Sequence, residues 1–314
     1  MKRTTSLLGI IWWFFSAALV TACSEPSQPE DSQTGSEPKP AVQYQVEELE
    51  PPVGRLQQPI HPIRYQLELH IDPRQDSFAG TVAIDLAASE RISGFWIHGK
   101  ALEVAEAWVV DGTGSRLDVS YQERHASGVA HLTLEQAVEP GPLTLHMTWS
   151  AEFNVQPNAL FRVERGADYY AATQFQPIAA RQVFPGFDEP RFKVPFDITV
   201  ISPTGDVAIS NSPERSAEDL GNGYTRHTFE TTRPLPTYLL AFAVGPYDLV
   251  DHGKISPSDI RNRDLPLRAI AARGQGGKLA YALENTAGIL NVLEDYFGSE
   301  YPYRKLDLIA VPTA

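Results

Sequence analysis

Cysteine is nearly absent. Cys23 stands alone among 314 residues, so no internal disulfide framework can staple the fold. Positive charge is in deficit as well: 26 Lys and Arg face 39 Asp and Glu, for a formal net charge of −13. That balance argues against nucleic acid as a partner, because affinity for a phosphate backbone depends on Lys and Arg. The apolar run at residues 7–20 falls short of the roughly 20 residues that a membrane-spanning helix needs. No repeat period stands out. Hydrophobic residues are well represented at 42%, enough for two domains, or for one domain and part of another.

The single cysteine explains itself. Lys2 and Arg3 precede the apolar run and Val20-Thr21-Ala22-Cys23 closes it, the layout of a cleaved secretory signal over residues 1–22. Val20-Thr21-Ala22-Cys23 also resembles the bacterial lipobox. That resemblance implies lipidation of Cys23 as the first mature residue and attachment to a membrane; a plain secreted protein with a leftover thiol is the alternative. Ser24, rather than Asp, follows the cysteine, which by the usual sorting pattern implies the outer membrane, facing periplasm or surface. Residues 24–40 carry no aromatic or aliphatic side chain. Such a segment cannot offset its ordering entropy, so residues 23–57 are expected to be a disordered tether.

Beyond it the pattern is β. Tyr65, Leu67, Leu69 and Ile71 alternate with polar residues; residues 72–76 supply a turn, and Val82, Ile84 and Leu86 alternate in a return strand. Further strands are expected at residues 95–98, 105–110, 129–134, 143–149, 196–202, 224–230 and 238–244. Many short strands separated by turn residues predict a mainly β, antiparallel sandwich or saddle over residues 58–255. His70, His98, His131, His146 and His227 lie in or beside these strands without the spacing of a ligand pair. The domain therefore reads as a scaffold.

The chain is organised around residues 171–195. Thr173-Gln174-Phe175-Gln176 reads as strand, which points Gln174 and Gln176 the same way. Pro177 ends the ladder, Asp188 and Glu189 occupy a tight turn between Gly186 and Pro190, and Arg181 is near enough to answer them. Taken alone, this is either an ordinary β-corner with an Arg181–Asp188 ion pair or a site. The run Thr173-Gln174-Phe175-Gln176-Pro177, with Ala180-Arg181 and Phe184-Pro185-Gly186-Phe187-Asp188-Glu189-Pro190, resembles the signature turn of the M1 family of zinc aminopeptidases, the gluzincins. The similarity continues through Phe192-Lys193 and includes Tyr65-Gln66-Leu67 and the run from Pro236 to Gly245.

A second unit follows. Residues 252–264 are polar and mark a boundary, leaving 256–314 as a separate segment. Residues 265–271 read as strand and Gly276-Gly277 opens a helix. Its inner stripe is Leu279, Leu283, Thr286, Leu290, Leu293 and Phe297, with Gly298 as its stop. Residues 306–311 form another strand. Glu294-Asp295-Tyr296-Phe297-Gly298 and Tyr301-Pro302-Tyr303 resemble the start of the family's thermolysin-like α/β catalytic domain, here expected to be incomplete.

The resemblance implies that Gln174 and Gln176 bind the substrate's free α-amine, with Gln176 standing where many members have glutamate. A neutral amide holds an ammonium less strongly than a carboxylate does. Zinc is implied for a complete family enzyme, held by a His-Glu-x-x-His helix and a distant glutamate. None of the eight histidines is followed by glutamate, and a catalytic zinc needs three protein ligands and an open position. This chain is therefore expected to bind no metal, to contain no catalytic residue and to be inactive alone. Two other readings stay open: a non-catalytic surface lipoprotein using the β-domain as a binding module, and the dead product of a frameshift or premature stop.

Overall fold

Period-2 alternation builds most of the molecule. The computed structural model describes residues 49–312; the leader, Cys23 and most of the expected tether lie outside the described residues. The first strands are β1 (Ile60–His70), β2 (Ser77–Ala88), β3 (Ile92–His98), β4 (Glu103–Asp111), β5 (Arg116–His125), β6 (Val129–Val138) and β7 (Gly141–Glu152). Next come β8 (Ala159–Arg165), β9 (Asp168–Gln174), β10 (Phe196–Pro203), β11 (Val207–Ser210), β12 (Glu214–Asp219), β13 (Tyr224–Phe229) and β14 (Phe242–Gly245). β15 (Tyr247–Ile255), β16 (Leu265–Ala272), α1 (Ala280–Phe297) and β17 (Leu306–Ala310) complete the described chain.

Ten strands form one sheet in the order β12-β13-β10-β1-β2-β7-β4-β5-β6-β3. Residues opposite one another on neighbouring strands share a face, so the register sets Ile198, Leu67, Val82 and Met147 in one buried row across four strands. Residues from β1, from β3 and β6, and from the loop after β9 all contribute to one core. The sheet therefore bends so that strands far apart in its order enclose common ground. Gly80 shows how closely it packs: a Cβ there would lie 2.6 Å from Cζ2 of Trp149, the residue opposite it on β7. The fold is mainly β, as expected, with two departures from antiparallel pairing, β1 with β10 and β16 with β17. β10 joins β1 in parallel, because the chain returns to the sheet only after building β2 to β9.

Four strands, β11-β14-β9-β8, make a second sheet, and β15-β16-β17 a third. Tyr170, Ile209 and Ala243 of the second pack with Tyr247, Ile270 and Ala272 of the third. The described residues thus fall within one compact unit, Leu49–Ala314. β15 pairs with β16 along residues expected in the first domain, so the change of sheet comes between Gly245 and Tyr247. Order also begins before residue 58: Leu56 is buried and its N–H donates to Glu189 Oε1 at 2.7 Å.

The expected helix is present, but its inner stripe turns out differently. Leu283, Thr286 and Leu290 are buried, whereas Leu293 and Phe297 are exposed and Glu294 takes their place inside. The reason is Arg261. Its guanidinium is fully buried, donates from Nε to Glu294 Oε1 at 3.0 Å, and folds the polar stretch 252–264 around itself. Ser258 Oγ and the N–H of Tyr301 also donate to the Glu294 carboxylate. Gly298 ends the helix in the left-handed region at φ 61°, where glycine pays no Cβ penalty.

Candidate functional site

The central turn is held by residues from distant pieces of chain, Leu56, Tyr65, His98, Ser127 and Thr237 among them. β9 ends at Gln174 rather than running on to Gln176, and the Gln176–Pro177 peptide is cis. Exposure still alternates: Gln174 and Gln176 are exposed and Phe175 between them is buried. Phe175 packs edge-on to Phe184 and Phe242, fixing the backbone from below. The ladder beside β9 stops early too. In place of an expected strand at 238–241 there is a helical turn, Thr237–Leu239. Asn211 accounts for this, since its side-chain amide donates to Leu239 O and accepts from Ala241 N, substituting for a strand neighbour.

Asp188 and Arg181 form a buried pair, Nε to Oδ2 at 2.9 Å. Arg181 also donates to the carbonyls of Asp188 and Ser127 at 3.0 Å each. Thr237 Oγ1 donates to the other Asp188 oxygen, and the N–H of Asp188 donates to His98 Nδ1 at 3.1 Å. His98 in turn bridges Gly186 through both backbone groups. Tyr65 hydroxyl accepts from Phe187 N at 2.8 Å. Burial, with the Arg181 charge in support, drops the His98 imidazole to about 3, so it is a neutral acceptor. Burial raises the Tyr65 phenol. Glu189 accepts from Leu56 N and from Arg191 Nε, at 2.7 Å each. Both turn carboxylates are therefore occupied in holding the turn together, the outcome of the ordinary ion-pair reading. They are not free acids or bases.

On the strand side of the turn the two glutamine amides point outward, while Arg191 and Lys193 are the exposed polar groups beyond it. Ala172 stands opposite Ala243 on one side and Phe161 on the other. Gln174, two residues on, shares their face by alternation. Val311 packs against Phe161, Val163 and Ala172 on that face. The chain leaving β17 thus passes over the side of the second sheet that carries Gln174.

A polar cluster not anticipated from sequence lies at the same junction. Lys305, 8% exposed, donates from Nζ to Ser210 O at 2.7 Å and to Asp307 Oδ2. Arg268 clasps Asp307 with two bonds, 2.9 and 2.8 Å. Burial lowers the Lys305 amine. Burial pushes the Asp307 carboxyl up, but Arg268 and Lys305 overcome this and hold it below the usual carboxylate range. A cavity of about 170 Å³ between the sheets is lined by Ser210, Asn211, Ala241, Lys305 and Asp307. The only sequence signal was Lys305 and Asp307 two apart in an apolar strand, too common a spacing to single out. A larger open groove, about 790 Å³, crosses the outer face of the ten-stranded sheet, and neither glutamine lines it.

Among the described residues no group of three or more His, Cys, Asp or Glu side chains is placed to hold a metal ion. The described residues do not fit a catalytic zinc centre, and no hydrolytic step is derived from them.

Comparison with known proteins adds the following. A family model described as the Peptidase M1 N-terminal domain matches residues 61–239. The chain is 30% identical over 271 residues to human Endoplasmic reticulum aminopeptidase 1, covering 82% of this chain and 28% of that protein. It is 31% identical over 268 residues to Glutamyl aminopeptidase of Bos taurus, covering 82% and 27%. To Aminopeptidase 2 of Candida albicans it is 30% identical over 261 residues, covering 81% and 27%. The chain spans less than a third of the length of these relatives.

Proposed function

The chain belongs to the M1 peptidase family, and on that premise we propose that it is the N-terminal part of a zinc metalloaminopeptidase that removes N-terminal amino acids from peptides. Gln174 and Gln176 are its contribution, as acceptors for the substrate's free α-amine. One observation carries this reading: in a turn whose carboxylates are internally satisfied, two amides remain exposed on either side of a buried anchor, Phe175. Zinc, which the family uses, would be supplied with its ligands by polypeptide other than the described residues. In that arrangement residues 58–255 form the β-domain and 256–314 the opening of the catalytic domain.

The test is amine recognition by the compact unit Leu49–Ala314. Leucine amide added to isotope-labelled protein is expected to shift the side-chain amide resonances of Gln174 and Gln176, with a Kd on the order of 1 mM or weaker, as befits a few neutral hydrogen bonds. N-acetyl-leucine amide is expected to leave them in place, and Gln176→Ala to reduce the response severalfold. Equal shifts from both compounds would remove the amine from the proposal.

For location, we propose an exported lipoprotein held at the outer membrane through lipidated Cys23, on the strength of the lipobox resemblance. Cys23→Ser is expected to move the protein from the membrane fraction to the soluble one; unchanged fractionation, with no acyl mass on the mature N-terminus, would reject the anchor. The alternative is a non-catalytic surface lipoprotein that uses the β-domain as a binding module.

A further inference from the structure

The outward side chains of β2 are all short: Ser77, Ala79, Thr81, Ala83, Asp85 and Ala87. At Thr81 and Ala83 they floor the open groove of about 790 Å³ on the ten-stranded sheet. Alternation sets this face against the core. Leu67, Val82, Met147 and Ile198 point inward, to a core shared with Ala171 and Phe242 of the second sheet, and Gln66, Ala83, His146 and Asp197 point out. Val311 lies on Phe161, Val163 and Ala172, the other side of that second sheet. The core and the second sheet thus separate the groove from the last described residues.

The groove contains a slot. Arg116, Trp108 and His146 stand in a stack across β5, β4 and β7. The guanidinium lies 4.3 Å from the Trp108 ring centre, and the Trp108 and His146 rings are 5.1 Å apart and 7° from parallel. Next in register after His146 comes Ala83, and after that Gln66. The Ala83 methyl is too short to cover the far face of the imidazole. Gln66 stands two strands from His146, about 10 Å, and a ring in contact with both walls needs about 7–8 Å. Burial, opposed by Asp85 and assisted by Arg116, lowers the His146 imidazole, so this wall is an uncharged ring at neutral pH. Beside the slot runs a row of hydroxyls: Thr228, Thr199, Thr81 and Thr148 share one register row, with Glu68 among them. Charges near the floor are matched, Arg64 with Asp197 and Glu68 with Arg226.

We propose that this groove binds an uncharged linear glycan, with one sugar ring stacked in the slot between His146 and Gln66 and its neighbours bonded to the threonine row. A sugar ring offers an apolar face and a rim of hydroxyls, the two things that slot and row receive. Other ligand classes fit less well. An extended peptide adds at a sheet edge, whereas β1, β2 and β7 are each paired on both sides. Nucleic acid requires an excess of Lys and Arg, and the chain carries a net charge of −13. Neither glutamine lines the groove, so the proposal is independent of the peptide reading.

Calorimetric titration of the compact unit Leu49–Ala314 with cellohexaose, maltohexaose and chitohexaose is the test. At least one is expected to bind, with a Kd on the order of 0.1–1 mM. Ala83→Leu, which fills the slot from its floor, and His146→Ala, which removes its wall, are each expected to weaken that binding about tenfold. Ala87→Leu, on the same outward face but outside the groove, is expected to leave it unchanged. No binding of any of the three, binding indifferent to Ala83→Leu and His146→Ala, or an equal loss in Ala87→Leu would overturn the proposal. The response is expected to persist in the longest polypeptide that carries these residues. Its loss there would mean that other chain fills the groove, and would overturn the proposal too.

Discussion

Replacing Asp188 with alanine is expected to destabilise the protein by about 3–5 kcal/mol, the cost of stranding a buried charge. Arg181 is 6% exposed, and with the carboxylate gone it keeps only the carbonyls of Asp188 and Ser127. Thr237 loses its acceptor in the same stroke, which frees the turn ahead of β14. Asp188→Asn preserves shape and one acceptor, so it should recover part of the loss. Pairing Asp188→Ala with Arg181→Met removes both charges and should recover more, since a well-packed apolar pair often matches a buried ion pair. Urea unfolding of the wild type, these three variants and Arg181→Met alone provides the check. A single-mutant loss under about 1 kcal/mol, or strict additivity in the double mutant, would show that Arg181 does not depend on Asp188.

Acid is expected to unfold the protein through His98 before the general titration of carboxylates is complete. The folded imidazole is held near 3 by burial and by Arg181, while an unfolded histidine titrates near 6.5. Above pH 6.5 neither state binds the proton and stability is at its full value. As pH falls below 6.5 the unfolded chain takes up the proton and the folded one does not. Stability is then lost at about 1.4 kcal/mol per pH unit until the folded pKa is reached. By pH 4.5 this single group should have removed about 2.7 kcal/mol of the stability present well above pH 6.5. His98→Asn, which retains an acceptor for Asp188 N but has no titrating ring, should flatten the profile over that interval. If that variant folds poorly, the wild-type His98 resonance followed by NMR serves instead: it should stay neutral through pH 5. Titration near 6.5 in the folded protein would disprove the account.

How much of this was legible beforehand differs from element to element. β1, β2, β7 and β10 could be read directly, because one face of each is buried and the other is not, so polarity alternates. β12 could not be: all six residues from Glu214 to Asp219 are exposed. It is a strand only because β13 offers it a ladder, and its own side chains carry no sign of that. β15 was hidden for the same reason, with exposed residues through its middle. In α1 the period located the helix and its end at Gly298 but misjudged the last turn. Leu293 and Phe297 continue the stripe by hydrophobicity, and only Arg261, 33 positions from Glu294, explains why a carboxylate lies inside instead.

The amides of the candidate site were legible and their surroundings were not. Alternation about Phe175 suffices to turn Gln174 and Gln176 outward together. Nothing local reveals that Lys305 reaches a carbonyl 95 residues earlier or that Val311 lies over the face Gln174 shares.

By itself, then, the chain's order of residues determined what short-range periodicity can encode: which face of each regular strand turns inward, where the helix stops, and that the central turn is rigid and polar. Tertiary structure alone decided which partner satisfies each buried polar group, as Thr237 satisfies Asp188 from 49 positions away. The physical reason is that an unpaired buried charge or donor costs several kcal/mol wherever its partner comes from. Folding therefore selects partners by proximity in space, and spacing along the chain carries no record of that choice.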